Sequence, residues 1–239
     1  MNIKSFSLIE ILVASMIFMV VVIMTVASFG MIQRSNEATS DLSNTSECAR
    51  QIENITSSVF KSASYRQPRV MSIVLNSGVY SLDEVDSVGE PVRAAGFAVF
   101  EKSSTEGEIK MSAIIKKIDV DENLWGYYYK TVEIPESSSE EDLNDVLNSS
   151  DTGTTFQPIH SNVCRALSSG IDEDSNNYEK PFKISLTNPY GGGPSSLSGN
   201  SVYYLTLNDV IFSKFSDQTK DDKTASRVYL EVINNITSI

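Results

Sequence analysis

The sequence is short of histidine, the side chain that most often acts as a general acid or base in catalytic centres. It has a single histidine, His160, which lies beside Ile159 and Ser161 in a loop-like stretch. No serine stands in the Gly-x-Ser-x-Gly pattern of a nucleophile elbow. A catalytic or metal-binding role for His160 is therefore not favoured, and we expect a protein without enzymatic activity.

Basic residues and cysteines are scarce as well. Lysine and arginine number 19 against 31 aspartates and glutamates, giving a formal net charge of −12. This balance disfavours long-range attraction to phosphate groups, so nucleic acid is not an expected partner. The two cysteines, Cys48 and Cys164, are too few for a disulfide framework, but they allow one bridge in an oxidising compartment.

Helix-breaking residues are missing from the first quarter of the chain. No proline precedes Pro68, and Gly30 is the only early glycine. We therefore predict a helix over residues 7–63, about 85 Å long at about 1.5 Å per residue. The Ser- and Thr-rich stretch 40–46 has poor helix propensity, which favours fraying or a bend there. From Leu42 onward, a stripe with helical spacing predicts packing on a globular head: Leu42, Ala49, Ile52, Ile55 or Thr56, Val59 and Ala63.

The N-terminal part of this helix is an apolar run of membrane-spanning length. Residues 11–32 carry no charge, and about 20 apolar residues suffice to cross the hydrocarbon core of a bilayer. A cleaved secretory signal is the alternative, with residues 27–30 as its small-residue site. Glu10 inside the run, and the lack of a strongly basic stretch before it, argue against that alternative.

Residues 4–14, Lys-Ser-Phe-Ser-Leu-Ile-Glu-Ile-Leu-Val-Ala, resemble the processing signal of type IV prepilins and type II secretion pseudopilins. In that family a short basic leader and a small residue precede Phe, a fixed Glu and a long apolar helix. The small residue before the cleaved bond is usually Gly, and here it is Ser5. The resemblance covers residues 1 to about 32 and weakens beyond them.

The resemblance implies a division of the chain and a route of assembly. Prepilin peptidase would remove the cytoplasmic leader 1–5, cutting between Ser5 and Phe6, and Phe6 would become the N-methylated first residue. Residues 6–33 would be the transmembrane and filament-core helix, 34–63 the amphipathic helix and 64–239 the head. The protein would sit in the bacterial inner membrane with its head in the periplasm and then enter a filament. Its partners would be other pilin or pseudopilin subunits, membrane lipid and the assembly platform.

Glu10 is explained by this processing. A carboxylate inside a membrane helix costs about 2.5–3.5 kcal/mol on insertion scales and calls for a cationic partner. Cleavage after Ser5 would create one, the α-amine of Phe6, four residues before Glu10 or on a neighbouring staggered subunit. The alternative is an incidental Glu whose carboxylate reaches the lipid headgroups.

The remainder of the chain is predicted to form a mainly antiparallel β-sheet head packed on the long helix, an α+β fold. Runs rich in β-branched and aromatic residues predict strands over 70–75, 96–101, 109–120, 124–134, 182–186, 202–207, 210–215 and 228–233. Residues 119–123 are expected to form a hairpin turn. The acidic loop 135–155 is expected to carry a short helix over 140–147 or to be partly disordered, and loop 188–200 to be flexible.

Residues 201–214 suggest a subtype. They predict a strand, a turn and a second strand late in a long head, which is similar to the W-type minor pilins and the J-type minor pseudopilins. Major subunits of the family are usually shorter than this chain.

Two further groups of residues have a plainer interpretation beside a functional one. Asp172, Asp174, Asn176 and Glu179 are oxygen ligands at suggestive spacing, but the EF-hand pattern fails at Asn177 and Lys183, so a solvated acidic turn is preferred to a calcium loop and no cofactor is expected. The aromatic cluster Trp125, Tyr127, Tyr128 and Tyr129 could stack bases or ligands. We prefer the explanation that the aromatic side chains on one face of a strand belong to the core and that those on the other face cover the sheet.

The sequence thus predicts a minor pilin or pseudopilin that joins, primes or caps a type IV pilus or type II secretion pseudopilus. The alternative is a signal-anchored envelope protein whose periplasmic head binds a ligand or catalyses a reaction independently.

Overall fold

The fold was derived from a computed structural model of the chain. It describes residues 8–64, 70–76, 78–85, 91–119, 124–149, 155–160, 164–166, 180–187, 202–213 and 225–235. Ser5 and Phe6 lie outside these ranges, as do Asp172, Asp174, Asn176, Glu179 and the loop 188–200.

The first element is a single long helix, α1 (Leu8–Ser62), of 55 residues. It remains helical through residues 40–46, so this stretch is not frayed. Two threonine hydroxyls near this stretch donate to carbonyls of their own helix, Thr39 to Ser35 at 2.8 Å and Thr45 to Leu42 at 3.1 Å. Burial against the head begins at Thr45, and from there on tertiary packing outweighs the poor local propensity.

The head contains eleven strands and one short helix among the residues that the structure describes. The strands are β1 (Val70–Asn76), β2 (Val79–Glu84), β3 (Val92–Ala94), β4 (Gly96–Lys102), β5 (Glu108–Asp119), β6 (Leu124–Pro135), β7 (Gln157–Pro158), β8 (Cys164–Ala166), β9 (Phe182–Thr187), β10 (Val202–Ser213) and β11 (Ser226–Asn235). The helix, α2 (Glu140–Asn148), confirms the helix expected in the acidic loop.

The strands form two antiparallel sheets. The first sheet has the order β2-β1-β4-β5-β6-β7, and the second has the order β11-β10-β9-β3 with β8 also paired to β10. The α+β class with antiparallel strands is therefore confirmed, although the sequence had suggested one sheet rather than two. The pairing of Asp119 with Leu124 brings the ends of β5 and β6 together at the predicted hairpin, whose residues 120–123 lie outside the described ranges.

The chain crosses between the sheets at Ala95, directly after β3 of the second sheet and before β4 of the first. The Ala95 N–H donates to Ile73 O at 3.0 Å, and the Ala95 carbonyl accepts from the Lys116 N–H at 2.9 Å. Gly96 is required at the next position because a Cβ there would lie 2.2 Å from the carbonyl oxygen of Ile114.

The first sheet is buried on both faces. On one face, Ile114 and Tyr127 join a core shared with α1 and the second sheet. On the other, Met111 and Tyr128 pack in a separate core with α2. The aromatic cluster therefore contributes to a buried core on both faces of the sheet. We had expected a core on one face and only a covering role on the other. The resulting layers are α2, the first sheet, the core containing α1, and the second sheet.

One strand prediction was wrong. Residues 202–213 form the continuous strand β10 where two strands and a turn had been expected. Asn208 and Asp209 suggested the turn, but Asp209 is buried against the first sheet and the ladder to β11 continues through both residues. The strands β2, β3, β7 and β8 had not been predicted because they are short or polar.

Candidate functional site

The N-terminal half of α1 is exposed although it is strongly apolar. No residue between Leu8 and Asn44 is buried, and the most apolar 18-residue window of the helix has a mean hydropathy of 2.7. Large exposed side chains surround the helix: Leu8, Ile9, Ile11, Leu12, Val13, Met16, Ile17, Phe18, Met19, Val20, Val21, Val22, Ile23, Met24, Val26, Phe29, Met31 and Ile32. An apolar surface of this extent is typical of a membrane span or a helix-packing surface.

Polar groups in the apolar half are few and local. Ser15 Oγ donates to Leu12 O and Thr25 Oγ1 donates to Val21 O, each at 2.8 Å, so these hydroxyls do not need water. Glu10 lies in the first helical turn, where a carboxylate is favoured by the positive end of the helix dipole. Along α1 it is the only charged residue before Arg34.

The C-terminal half of α1 buries a narrow stripe against the head, formed by Thr45, Cys48, Ala49, Ile52, Thr56 and Phe60. The members recur every three or four residues on one helix face, as the sequence periodicity had predicted for Ala49, Ile52 and Thr56. Leu42 had been expected in this stripe, but its side chain is 46% exposed because the packed region begins one turn later.

The disulfide Cys48–Cys164 joins this stripe to β8 and closes a loop of 116 residues. The bridge connects the buried face of α1 with the second sheet. The sequence had left open whether this bridge forms, and only the fold shows that residues so distant in the chain become neighbours.

Strand β11 is held along α1 by polar contacts as well as apolar ones. The backbone N–H of Tyr229 donates to Glu53 Oε1 at 3.0 Å, so the helix covers the free edge of the second sheet. Asn234 Nδ2 lies within hydrogen-bond distance of the Phe60 carbonyl at 2.8 Å and the Ala63 carbonyl at 3.1 Å. These contacts satisfy carbonyls that the helix C-terminus leaves without partners. Nothing in the sequence had singled out Asn234.

A buried polar group, consisting of Lys116, Tyr127 and Asp209, connects the two sheets. Lys116 Nζ lies 2.6 Å from Asp209 Oδ2 with both side chains fully buried, and the Tyr127 hydroxyl donates to the same carboxylate oxygen at 2.5 Å. The Val210 N–H donates to Asp209 Oδ1 at 2.8 Å. The carboxylate is therefore compensated on both oxygens, as a buried charge must be.

Burial changes the ionisation of this group. Desolvation raises the pKa of Asp209, although the Lys116 ammonium and the hydrogen bonds act in the opposite direction. Desolvation, followed by the neighbouring Asp209 charge, raises the pKa of Tyr127 well above the ordinary value of a phenol. The group lies between the two sheets, and its buried charges are paired with each other.

His160 has a structural contact. Its Nε2 accepts from the Tyr127 N–H at 3.2 Å, and it lies so close to Gly126 that a Cβ there would be 3.1 Å from Nε2. Among the residues that the structure describes, no three His, Cys, Asp or Glu side chains are grouped to hold a metal ion.

Comparisons with protein families, with characterised proteins and with solved structures found no match for this chain. Within the described ranges, α1 is long and apolar enough to cross a membrane, which makes it a candidate anchor near the N-terminus.

Proposed function

We propose that this protein is a minor pilin or pseudopilin that prepilin peptidase processes between Ser5 and Phe6. It would then join, prime or cap a type IV pilus or type II secretion pseudopilus from the inner membrane. The observation that carries the proposal is the construction of α1, whose apolar half is exposed while its C-terminal half is fixed to the head. The prepilin-like residues 4–14 begin at the free end of the same helix.

The two halves of α1 suit a filament subunit. In a membrane the apolar surface faces lipid, and in a filament the same surface can pack on parallel helices of neighbouring subunits. A helix of 55 residues extends for about 83 Å at about 1.5 Å per residue, so the head stands well clear of the apolar segment. The disulfide adds an indication of an oxidising compartment for the head.

Glu10 supplies the axial register in this proposal. Its carboxylate would pair with the Phe6 amine of an adjacent subunit, and this attraction would be strong in the low dielectric of the helix bundle. Because the amine exists only after cleavage, assembly would depend on processing.

Identification of the N-terminal residue of the mature protein tests the proposal. Full-length chain co-expressed with a prepilin peptidase should lose five residues and begin with N-methyl-phenylalanine, as read by mass spectrometry of the N-terminal peptide. A strain without the peptidase is the control, and Ser5→Gly should be processed at least as fast. An intact Met1 terminus in the presence of active peptidase would instead favour the signal-anchored envelope protein.

The role of Glu10 is tested separately by Glu10→Gln and Glu10→Leu. Both variants should insert and keep a folded head, since Glu10 lies far from the buried stripe of α1, but filament incorporation should fall by about tenfold or more, as expected for the loss of about 1.4 kcal/mol or more. Immunoblots of sheared filaments measure incorporation. Glu37→Gln, at an exposed site on the same helix, is the matched control and should incorporate normally. Normal incorporation of both Glu10 variants would refute the charge-pair mechanism.

A further inference from the structure

The outer face of the second sheet carries a cluster of four cations on a protein with excess negative charge. Arg93, Lys180, Lys183 and Arg227 line one open cleft of about 600 Å³. We call this surface the basic face. The whole chain has 19 basic residues against 31 acidic ones, so a group of cations without an ion-paired carboxylate among the described residues is contrary to the average composition.

The cations of the basic face are not neutralised by the described part of the chain. Arg93 and Lys183 are direct cross-strand neighbours, an arrangement of like charges that destabilises a sheet. Arg227 Nε donates to the amide oxygen of Asn208 at 3.1 Å, and none of the four cations forms an ion pair with a described carboxylate. The cost of this repulsion would be offset by an anionic partner.

Two carboxylates of the described residues lie near the basic face, Asp209 and Glu231. Asp209 lies beneath the cleft, but its side chain points inward and pairs with Lys116. Glu231 accepts a hydrogen bond from the Tyr229 hydroxyl at the border of the face. Asp209 therefore does not face the cleft, whereas the exposed Glu231 keeps its negative charge beside Lys183, and among the described residues the four cations remain in excess.

A complementary surface lies on the opposite side of the head. Residues 136–145 contain five carboxylates, all on exposed residues: Glu136, Glu140, Glu141, Asp142 and Asp145. No lysine or arginine occurs between Lys130 and Arg165. Leu143 and Leu147 anchor α2 on the far face of the first sheet, so this acidic segment faces away from the second sheet.

We propose that the basic face of one copy binds the acidic segment 136–145 of a second copy. The contact joins two different faces of the same chain, so it is heterologous and would form wherever two copies that have joined a helical filament lie next to each other. The inference rests on the proposed function, because it assumes that the copies meet in a filament. It adds a contact between the globular heads of neighbouring copies to the packing of their α1 helices.

The border of the basic face favours a protein partner over a small anion. Tyr229 is 53% exposed, Ile233 is 51% exposed and Tyr204 is 39% exposed on the same outer surface. A small anion would leave these apolar groups in water, whereas a docked helix would cover them. Opposite charges on the two surfaces would also fix the register of the contact.

Cysteine crosslinking of the full-length chain in membranes tests the proposal. One tagged copy carries Asn208→Cys on the basic face, and a differently tagged copy carries Glu141→Cys on the acidic segment. Mild oxidation should yield a mixed dimer. Ile118→Cys, exposed at the far end of β5, replaces Glu141→Cys in the control pair and should give only background crosslinking.

Charge exchange adds specificity to this test. Lys183→Glu with Arg227→Glu in the Asn208→Cys copy should reduce the dimer by about tenfold. Glu140→Lys with Asp145→Lys in the second copy should restore it. A yield equal to the Ile118→Cys control, or no restoration by the exchange, would overturn the proposal. Phosphate binding abolished by Lys183→Glu, with background crosslinking, would assign the face to a small anion and overturn it equally.

The N-termini of the same preparations separate this inference from the proposed function. An uncleaved Met1 terminus with a charge-dependent crosslink would refute the processing and retain the head contact. A processed Phe6 terminus without that crosslink would refute the head contact alone.

Discussion

The buried Lys116, Tyr127 and Asp209 group fixes how the two sheets face each other. Lys116 and Tyr127 come from β5 and β6, while Asp209 comes from β10. A buried ion pair adds little net stability compared with well-packed apolar residues, but removal of one partner leaves an uncompensated charge in the core. The group therefore determines how the two sheets are oriented, and it contributes little to the net stability of the head.

Lys116→Met should lower the free energy of unfolding by about 3–5 kcal/mol, because it leaves Asp209 without its cation. The double variant Lys116→Met/Asp209→Leu should regain most of that loss. Urea unfolding of the full chain in detergent, followed by near-ultraviolet circular dichroism, measures both. Lys110→Met is the control, since the Lys110–Glu101 pair at 3.2 Å is partly exposed and worth about 0–1 kcal/mol. A double variant as unstable as the single one would contradict the expectation.

Tyr127 makes the stability of the head sensitive to alkaline pH. Its pKa is raised in the folded state, so the unfolded phenol loses its proton first, near pH 10. This contribution is fully present below about pH 10 and is lost as the pH rises toward the folded pKa. In that range the wild type should lose up to about 1.4 kcal/mol per pH unit more than Tyr127→Phe.

Unfolding of both proteins from pH 8 to pH 11.5 checks this expectation. Burial raises the pKa of Tyr80 to about 12, and Tyr80 contributes equally to both curves, so the difference between them isolates Tyr127. Parallel curves would show that the Tyr127 proton is not linked to folding.

These residues also show what the sequence could predict. Glu10 stands out because it is a charge inside an apolar run, which needs no structure to recognise. Lys116 could not be distinguished from Lys117 before the strand register was known. Consecutive residues of a strand point to opposite faces, and only Lys116 is fully buried. Asp209 was mistaken for a turn residue because burial against a distant lysine leaves no local signal.

At the scale of elements, the C-terminal half of α1 packs against the second sheet and is covalently linked to it. This half contacts β11 over most of that strand, and the disulfide ties the same helix face to β8. The helix and long strands were predicted because they carry sustained apolar or β-branched patterns. The division into two sheets was not predicted because it depends on the crossing at Ala95, which is a matter of long-range pairing.

Removal of the disulfide should weaken this attachment. Cys48→Ala/Cys164→Ala should lower the free energy of unfolding by about 2–5 kcal/mol, because the loop of 116 residues gains freedom in the unfolded chain. Urea unfolding of the full chain in detergent measures the change, and wild-type protein unfolded in the presence of a strong reductant should behave similarly. An unchanged transition midpoint would show that the packed stripe of α1 holds the helix without the bridge.

At the scale of the whole molecule, the chain separates an exposed apolar helix, which is a candidate membrane anchor, from the packed head. Residues 8–44 contribute no buried side chain to the head, whereas Thr45, Cys48 and Ala49 belong to its core. The boundary between the two uses of α1 thus lies near residue 45, about one turn beyond the start that the apolar periodicity had suggested at Leu42.

A chain consisting of residues 35–239 should therefore be soluble without detergent when it is produced in an oxidising compartment. It should unfold cooperatively at nearly the same urea concentration as the full chain in detergent, because every buried residue of α1 is retained. A chain that begins at Gln51 is the matched control. It lacks Thr45, Cys48 and Ala49, and it should be less stable by more than the about 2–5 kcal/mol expected for the lost disulfide alone. If the 35–239 chain aggregated or failed to unfold cooperatively, the exposed helix would have to stabilise the head through contacts other than those of the buried stripe.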